Sequence, residues 1–256
     1  MGQVDTLKTI GLGMAVYNRD RYLEGAIDSV LRQTFQDWEL HIVDDCSNDK
    51  SLTIAIDYAS RDSRIKVHSH YPNRGAGFTL RSALALCNSK YLGWLDSDDE
   101  LDPTALDTMV KYLSNHPEVG MAYSQYSTMN ADGQCTGIGR RCSIPYSPDR
   151  LLVDFMTFHL RVIRSEAYHS IGGINPGLRA AVDYDFCLRV SEVMGIQCVP
   201  EILYRYREHP DSISMRDRGV QIEYSRRAIE QALVRRGLAE THRLEVKTVF
   251  RLERIR

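Results

Sequence analysis

The sequence predicts an α/β fold built on a mainly parallel, Rossmann-like sheet. Short apolar runs alternate with stretches of helical periodicity through the first hundred residues, the rhythm of strands crossed over by helices. Two of those runs stop abruptly on clusters of acid, Asp44-Asp45 and Asp96-Ser97-Asp98-Asp99. The composition is that of an ordinary globular chain: 256 residues, 43% hydrophobic and 26% charged, enough for one α/β core with an appendage.

The elements follow in order. Thr9–Val16 reads as a strand leaving through Tyr17-Asn18, and Tyr22–Gln33 as a helix, with Leu23, Ala26, Ile27, Val30 and Leu31 on one stripe. Trp38–Val43 is a second strand, and Ser47, Asn48 and Asp49 offer caps for a helix over 51–60. A third unit runs from a short strand, Ile65–His68, through the glycine-bearing loop Asn73–Gly77 and a helix, Thr79–Cys87, to a strand, Tyr91–Leu95. Pro103 opens a helix to about Asn115, Gly120–Ser127 is a strand, and Asn130-Ala-Asp-Gly133 a turn. Beyond it the rhythm weakens. Arg140–Pro148 reads as a polar, mobile loop, Leu151–Arg164 as apolar segments, Gly172–Gly177 as irregular, and Asp183–Met194 as a helix. From Val220 onward the chain reads as peripheral helix.

Several functions are excluded at this level. A net charge of −2 supplies no field for a polyanion, so no nucleic-acid partner is expected. No window reaches the run of about 18 apolar residues that spans a bilayer, and the first residues lack a signal-peptide core, so a cytoplasmic location is expected. The six cysteines form no C-x-x-C pair and read as reduced, buried and non-catalytic. Gly11-Leu-Gly13 lies inside a strand and lacks a third glycine, which removes a dinucleotide-dependent dehydrogenase, and no G-x-x-x-x-G-K-[ST] is present.

Three carboxylates within four residues repel one another unless a cation or hydrogen-bond donors compensate. Hard oxygen ligands favour Mg²⁺ or Mn²⁺; capping of the next helix is the competing use. In a parallel sheet both acidic clusters project from one edge and can share a cavity, where one carboxylate of Asp44-Asp45 can accept the imide hydrogen of a pyrimidine.

These residues resemble a known family. Ala15-Val-Tyr17-Asn18-Arg19, Ser29 to Thr34, Glu39 to Asp49, Asn73-Arg74-Gly75 and Leu95 to Asp99 look like successive signatures of family-2-type glycosyltransferases with the A-type fold. Gly172-Gly173, Asp183 to Arg189, and Tyr204 to Arg207 with His209 and Ser212 to Ser214 are similar to its acceptor half. The resemblance spans about residues 9–215. It implies a glycosyltransferase domain over 1–215, with a donor half to about residue 100 and an acceptor half beyond, and a helical extension over 216–256. It also implies inverting, metal-dependent transfer from a nucleotide diphosphate-sugar, a UDP-sugar first, to a saccharide or lipid-linked saccharide. A catalytically silent sugar-nucleotide-binding scaffold is the alternative.

Carried over residue by residue, the resemblance puts Tyr17 on the donor base with Ala15 nearby, Asp45 at the base edge, and Asp96 with Ser97 near the ribose. Arg74 and Arg81 become candidates for the diphosphate. Asp98, Asp99 and His209 would hold Mn²⁺ or Mg²⁺, although His209 beside Pro210 also reads as a surface histidine. Asp183 falls at the place of the catalytic base, where plain N-capping competes; Asp185 is supporting or structural. Two departures stand out: Ala15 replaces a common proline, and Val182 stands where a Glu or Gln often precedes the base. The tail from Arg216 interleaves Leu244, Val246, Val249, Phe250 and Leu252 with arginines. It can lie on an anionic membrane or pack on its own domain.

Overall fold

A computed structural model describes residues 7–210, 212 and 218–247. The strands are β1 (Lys8–Val16), β2 (Trp38–Asp44), β3 (Ile65–Ser69), β4 (Ser89–Trp94), β5 (Glu100–Leu101), β6 (Val119–Met129), β7 (Cys135–Ile138), β8 (Arg161–Arg164) and β9 (Gly195–Arg207). The α-helices are α1 (Leu23–Leu31), α2 (Ser51–Arg61), α3 (Ala76–Leu86), α4 (Ala105–Asn115), α5 (Ser165–Ser170), α6 (Val182–Ser191) and α7 (Arg218–Arg235). All strands join one sheet in the order β3-β2-β1-β4-β8-β6-β9-β5, with β7 beside β6.

The first four strands are parallel, so their carboxyl ends share one edge. β8 then enters antiparallel to both β4 and β6, and β6 runs parallel to β9. The parallel rhythm read from the sequence therefore holds over β1 to β4 and stops at β8. Helices cover both faces. Ile10, Leu12, Trp38, Leu40 and Ile42 bury against α1, α2 and α4, while Leu92, Trp94 and Met121 bury against α3, α5, α6 and α7. α3 begins at Ala76, three residues before the expected start, because Gly75 takes φ 87° and releases the chain into the helix.

Glycine makes close packing possible on β1. A Cβ at Gly11 would lie 2.6 Å from Cys87 Cβ, so the two glycines of this strand seat α3 on the sheet. Arg164, buried at the end of β8, donates to the carbonyls of Leu113 and His116 and so satisfies the C-terminus of α4.

Two expectations are corrected. Residues 140–148 are not a loose loop: Arg140–Ser143 forms a 3₁₀ turn, Gly139 N–H donates to the Tyr126 carbonyl, and Ile144 and Tyr146 pack against the second core. Among the cysteines all are free, but only Cys187 is buried and Cys135 is exposed. In the tail, Ala228, Ile229, Ala232 and Leu233 of α7 bury into the core that α6 shares, and Leu244 joins them. Ile213, Ser214, Val249, Phe250 and Leu252 lie outside the described residues.

Candidate active site

The edge where β1, β2 and β4 end is built by backbone pairing. Asp45 N–H donates to the Val16 carbonyl and Leu95 N–H to Gly13, which brings both acidic clusters beside the exit of β1. The motif Ser29–Thr34 is scaffold for this edge. Ser29 Oγ accepts from Leu101 N–H, and Gln33 bridges the Asp102 carbonyl and Leu106 N–H, tying α1 to the segment behind the acidic loop.

Asp45 is buried, and its two oxygens accept from Arg74 and Gly75 N–H at 2.8 and 2.7 Å, with His70 Nδ1 3.1 Å away. It fastens the 73–75 loop. Asp44 accepts from Ser47 N–H, and Asn18 and Ser47 knit the exit of β1 to that of β2. Ala15 is half-buried opposite Val43, and Tyr17 keeps about half its surface, 47%, open. Arg74 is exposed with its guanidinium 4.0 Å over Phe78. Arg81 Nη1 donates to the carbonyls of Gly172 and Ile174.

The acidic loop after β4 is held from three sides. Asp98 Oδ2 receives Arg19 Nε at 3.1 Å and stands 3.0 Å from His209 Nε2. Burial would raise the Asp98 carboxyl, but the His209 hydrogen bond and the Arg19 charge outweigh it and hold it below the usual carboxylate range. His209 is wholly buried against the ring of Tyr22, 4.7 Å between centroids, so it is no surface histidine. Asp99 also fastens the loop. Its oxygens accept from Tyr204 Oη at 2.8 Å and Arg207 N–H at 2.7 Å, which stitches β9 to the loop. Arg207 also reaches the Asp98 carbonyl and Glu100. The motif Tyr204–Arg207 thus clamps the acidic loop. Ser97 is buried within it.

Asp96 opens into the cleft, yet it is ringed by protein and carboxylates. Burial, then the charges of Asp98 and Asp183, push its pKa up to about 7. His159 Nε2 lies 3.7 Å from it, and the imidazole, stacked on Tyr204 at 4.4 Å, is held well below its usual value by burial and by Arg161. Asp96, Asp99 and His159 place one ligand atom each within 4.8 Å of one another. The loop therefore offers two donor sets for a cation, Asp98 with His209 and this trio. Carboxylate oxygen with imidazole suits Mn²⁺ or Mg²⁺.

Asp183 stands in the first turn of α6, one residue inside Val182, and the cap position itself is Ala181 at φ 54° with no side-chain bond. Its Oδ2 accepts from Arg161 Nη2 at 3.0 Å, its Oδ1 from Tyr184 N–H, and the side chain is 31% open. Val182 packs beneath the start of α3, where a Cβ on Gly77 would lie 3.0 Å from its methyl. Asp185 is buried and pairs with Arg189, which donates to the carbonyls of Ile171 and Gly173 and so shapes the Gly172-Gly173 turn.

Arg19, His159 and Arg161 were not singled out from sequence. Only Arg19, inside the quoted Ala15–Arg19 run, carried a signal; the other two lie in apolar segments where nothing marks them.

Comparisons with known proteins bear on the family and the fold. The chain is 28% identical to hyaluronan synthase of Pasteurella multocida over 92% of its own length and 24% of that protein's. It is also 28% identical to chondroitin synthase of Escherichia coli, over 90% of its length and 33% of the relative's. It thus spans between a quarter and a third of these relatives. Among solved structures, residues 1–349 of Staphylococcus aureus TarS with UDP superpose with a TM-score of 0.70 at 18% identity, covering 88% of this chain and 65% of that one. The mannosyltransferase PcManGT of Pyrobaculum calidifontis, with GDP-Man and Mn²⁺, gives 0.66 at 16%, covering 90% and 65%. These two likenesses establish the A-type fold. The family model for Glycosyl transferase family 2 matches residues 12–183, from the first buried strand to Asp183, and the chain belongs to that family.

Proposed function

We propose that the chain transfers a sugar, with inversion, from a nucleotide diphosphate-sugar to a hydroxyl of a saccharide or lipid-linked saccharide. The observation that carries this is the convergence of the Asp98–His209–Arg19 group and Asp183 on Asp96, whose carboxyl both Asp98 and Asp183 perturb.

Tyr17 offers its open ring to the donor base. Asp45 meets the base edge with the lone pairs that its loop contacts leave free. Asp96 and Ser97 face the ribose, and Arg74 meets the diphosphate. Asp98 and His209 hold Mn²⁺ or Mg²⁺, with Asp99 behind them fixing the loop. When bound, the cation supplies positive charge to the diphosphate leaving group. Asp183 takes the proton of the acceptor hydroxyl as that oxygen bonds to the anomeric carbon and the bond to the diphosphate breaks. For this its carboxylate must lie within about 2.6–3.2 Å of the hydroxyl. UDP in the TarS structure and Mn²⁺ in PcManGT support a UDP-sugar and a divalent cation here.

The test is release of nucleoside diphosphate from UDP-, dTDP- and GDP-sugars with Mn²⁺, for the wild type and Asp98→Ala. One donor is expected to turn over, and Asp98→Ala to lose both turnover and metal dependence with its fold intact. Full turnover in EDTA would overturn metal dependence.

A further inference from the structure

We infer that Arg161 is the positioning residue for Asp183, setting the direction of its carboxylate for proton transfer. The inference rests on the assignment of Asp183 as the base.

Arg161 is the first residue of β8, the short strand inserted antiparallel between β4 and β6. Its side chain is completely buried. A guanidinium cannot lose its charge, so leaving water costs several kcal/mol unless its donors and its planar face find partners. Those partners are specific here. Nε donates to the Thr157 carbonyl at 2.7 Å, Nη2 to Asp183 Oδ2 at 3.0 Å, and the guanidinium lies 5.1 Å from the Trp94 ring and 5.2 Å from that of Phe155. Nη1 has no partner. Among the described residues Asp183 is the carboxylate that this guanidinium hydrogen-bonds, while Asp96 feels the same charge without a hydrogen bond to it.

The strand is brought there by absence of bulk. A Cβ at Gly93 of β4 would lie 3.1 Å from the Arg161 carbonyl, so glycine lets β8 approach closely.

The effect on Asp183 is geometric. A carboxylate in the first turn of a helix normally turns freely in solvent, but here Tyr184 N–H holds one oxygen and Arg161 the other. Each oxygen keeps a further lone pair, so the group remains a competent acceptor whose direction is fixed. Fixing a reacting group matters steeply, since a misplacement of about 1 Å can cost about a hundredfold in rate.

The experiment compares Arg161→Lys and Arg161→Met in the wild type and in Asp183→Asn, reading kcat for transfer, donor KM, and melting temperature. Lysine keeps the charge but not the fork, and methionine keeps only bulk. We expect kcat to fall about tenfold for lysine and about a hundredfold for methionine, with donor KM unchanged. In Asp183→Asn neither substitution should lower the residual rate further. Equal losses in both backgrounds, a raised donor KM, or a kcat loss recovered by cooling below the variant's lower melting point would overturn the inference and leave the base assignment standing. Unimpaired transfer by Asp183→Asn would overturn both.

Discussion

Asp96 and Asp98 stand two residues apart and are driven in opposite directions, because His209 and Arg19 hydrogen-bond the second, whereas Arg19 acts on the first by charge alone. The raised Asp96 carboxyl has a consequence for the metal-free protein. Its folded value, about 7, lies above the ordinary 3.8, so between the two the folded state holds more protons than the unfolded. Its stabilising contribution is complete below the ordinary value and is lost as pH rises through about 7. In EDTA, Asp96→Asn should therefore melt higher than the wild type at about pH 8, the gap shrinking towards about pH 4. A gap that widens on acidification would contradict the assignment. Asp183 and Asp185, two residues apart, should separate cleanly. Asp183→Asn is expected to bind donor normally and lose about two to four orders of magnitude in transfer. Asp185→Asn breaks a buried pair and should cost about 3 kcal/mol in denaturant unfolding with the chemistry retained. The carboxylates of this site were legible in the sequence because clustered acid after an apolar run is unusual. Arg161 and His159 were not, since a lone basic residue in an apolar segment carries no mark until the fold shows what it faces.

The elements of the first hundred residues follow from local pattern, and their observed limits fall within a few residues of those read from the sequence. The rest of the chain was harder for a physical reason. β8 has four residues, too few for alternation, and β9 spans thirteen with Pro200 inside it and register shifts against β6. Both strands owe their existence to partners distant in sequence. Packing in this part is tight enough to test. A Cβ at Gly139 would sit 2.1 Å from a carbon of the Tyr126 ring, although its φ of −59° suits any residue. Gly139→Ala should thus destabilise by overpacking, by about 1–3 kcal/mol. An unchanged unfolding midpoint would show that the ring can move aside. Phe186, edge-on to Trp94 at 5.4 Å, anchors α6 in the core about one turn past Asp183.

For the molecule as a whole, α7 completes the second core. Ala228, Ile229, Ala232 and Leu233 bury against it, and Arg235 and Arg236 reach Glu192 just past the end of α6. No helix among the described residues is long and apolar enough to cross a membrane. Truncation after Pro210 should lower the melting temperature and raise binding of a hydrophobic dye, because the face beneath α7 is uncovered. A truncated chain as stable as the full one would mean that α7 is dispensable to the core. The space beside Gly77 reaches further. Residues 73–75 are fastened by Asp45 and residue 182 adjoins Asp183, and a Cβ at residue 77 would lie 3.0 Å from the Val182 methyl and 3.1 Å from the Leu178 carbonyl, so α3 and the segment leading into α6 leave each other no spare room. A side chain at 77 would press on Val182 and on the Leu178 carbonyl, so these positions cannot be varied independently. Any redesign of residues 178–182 therefore has to treat the start of α3 in the same step.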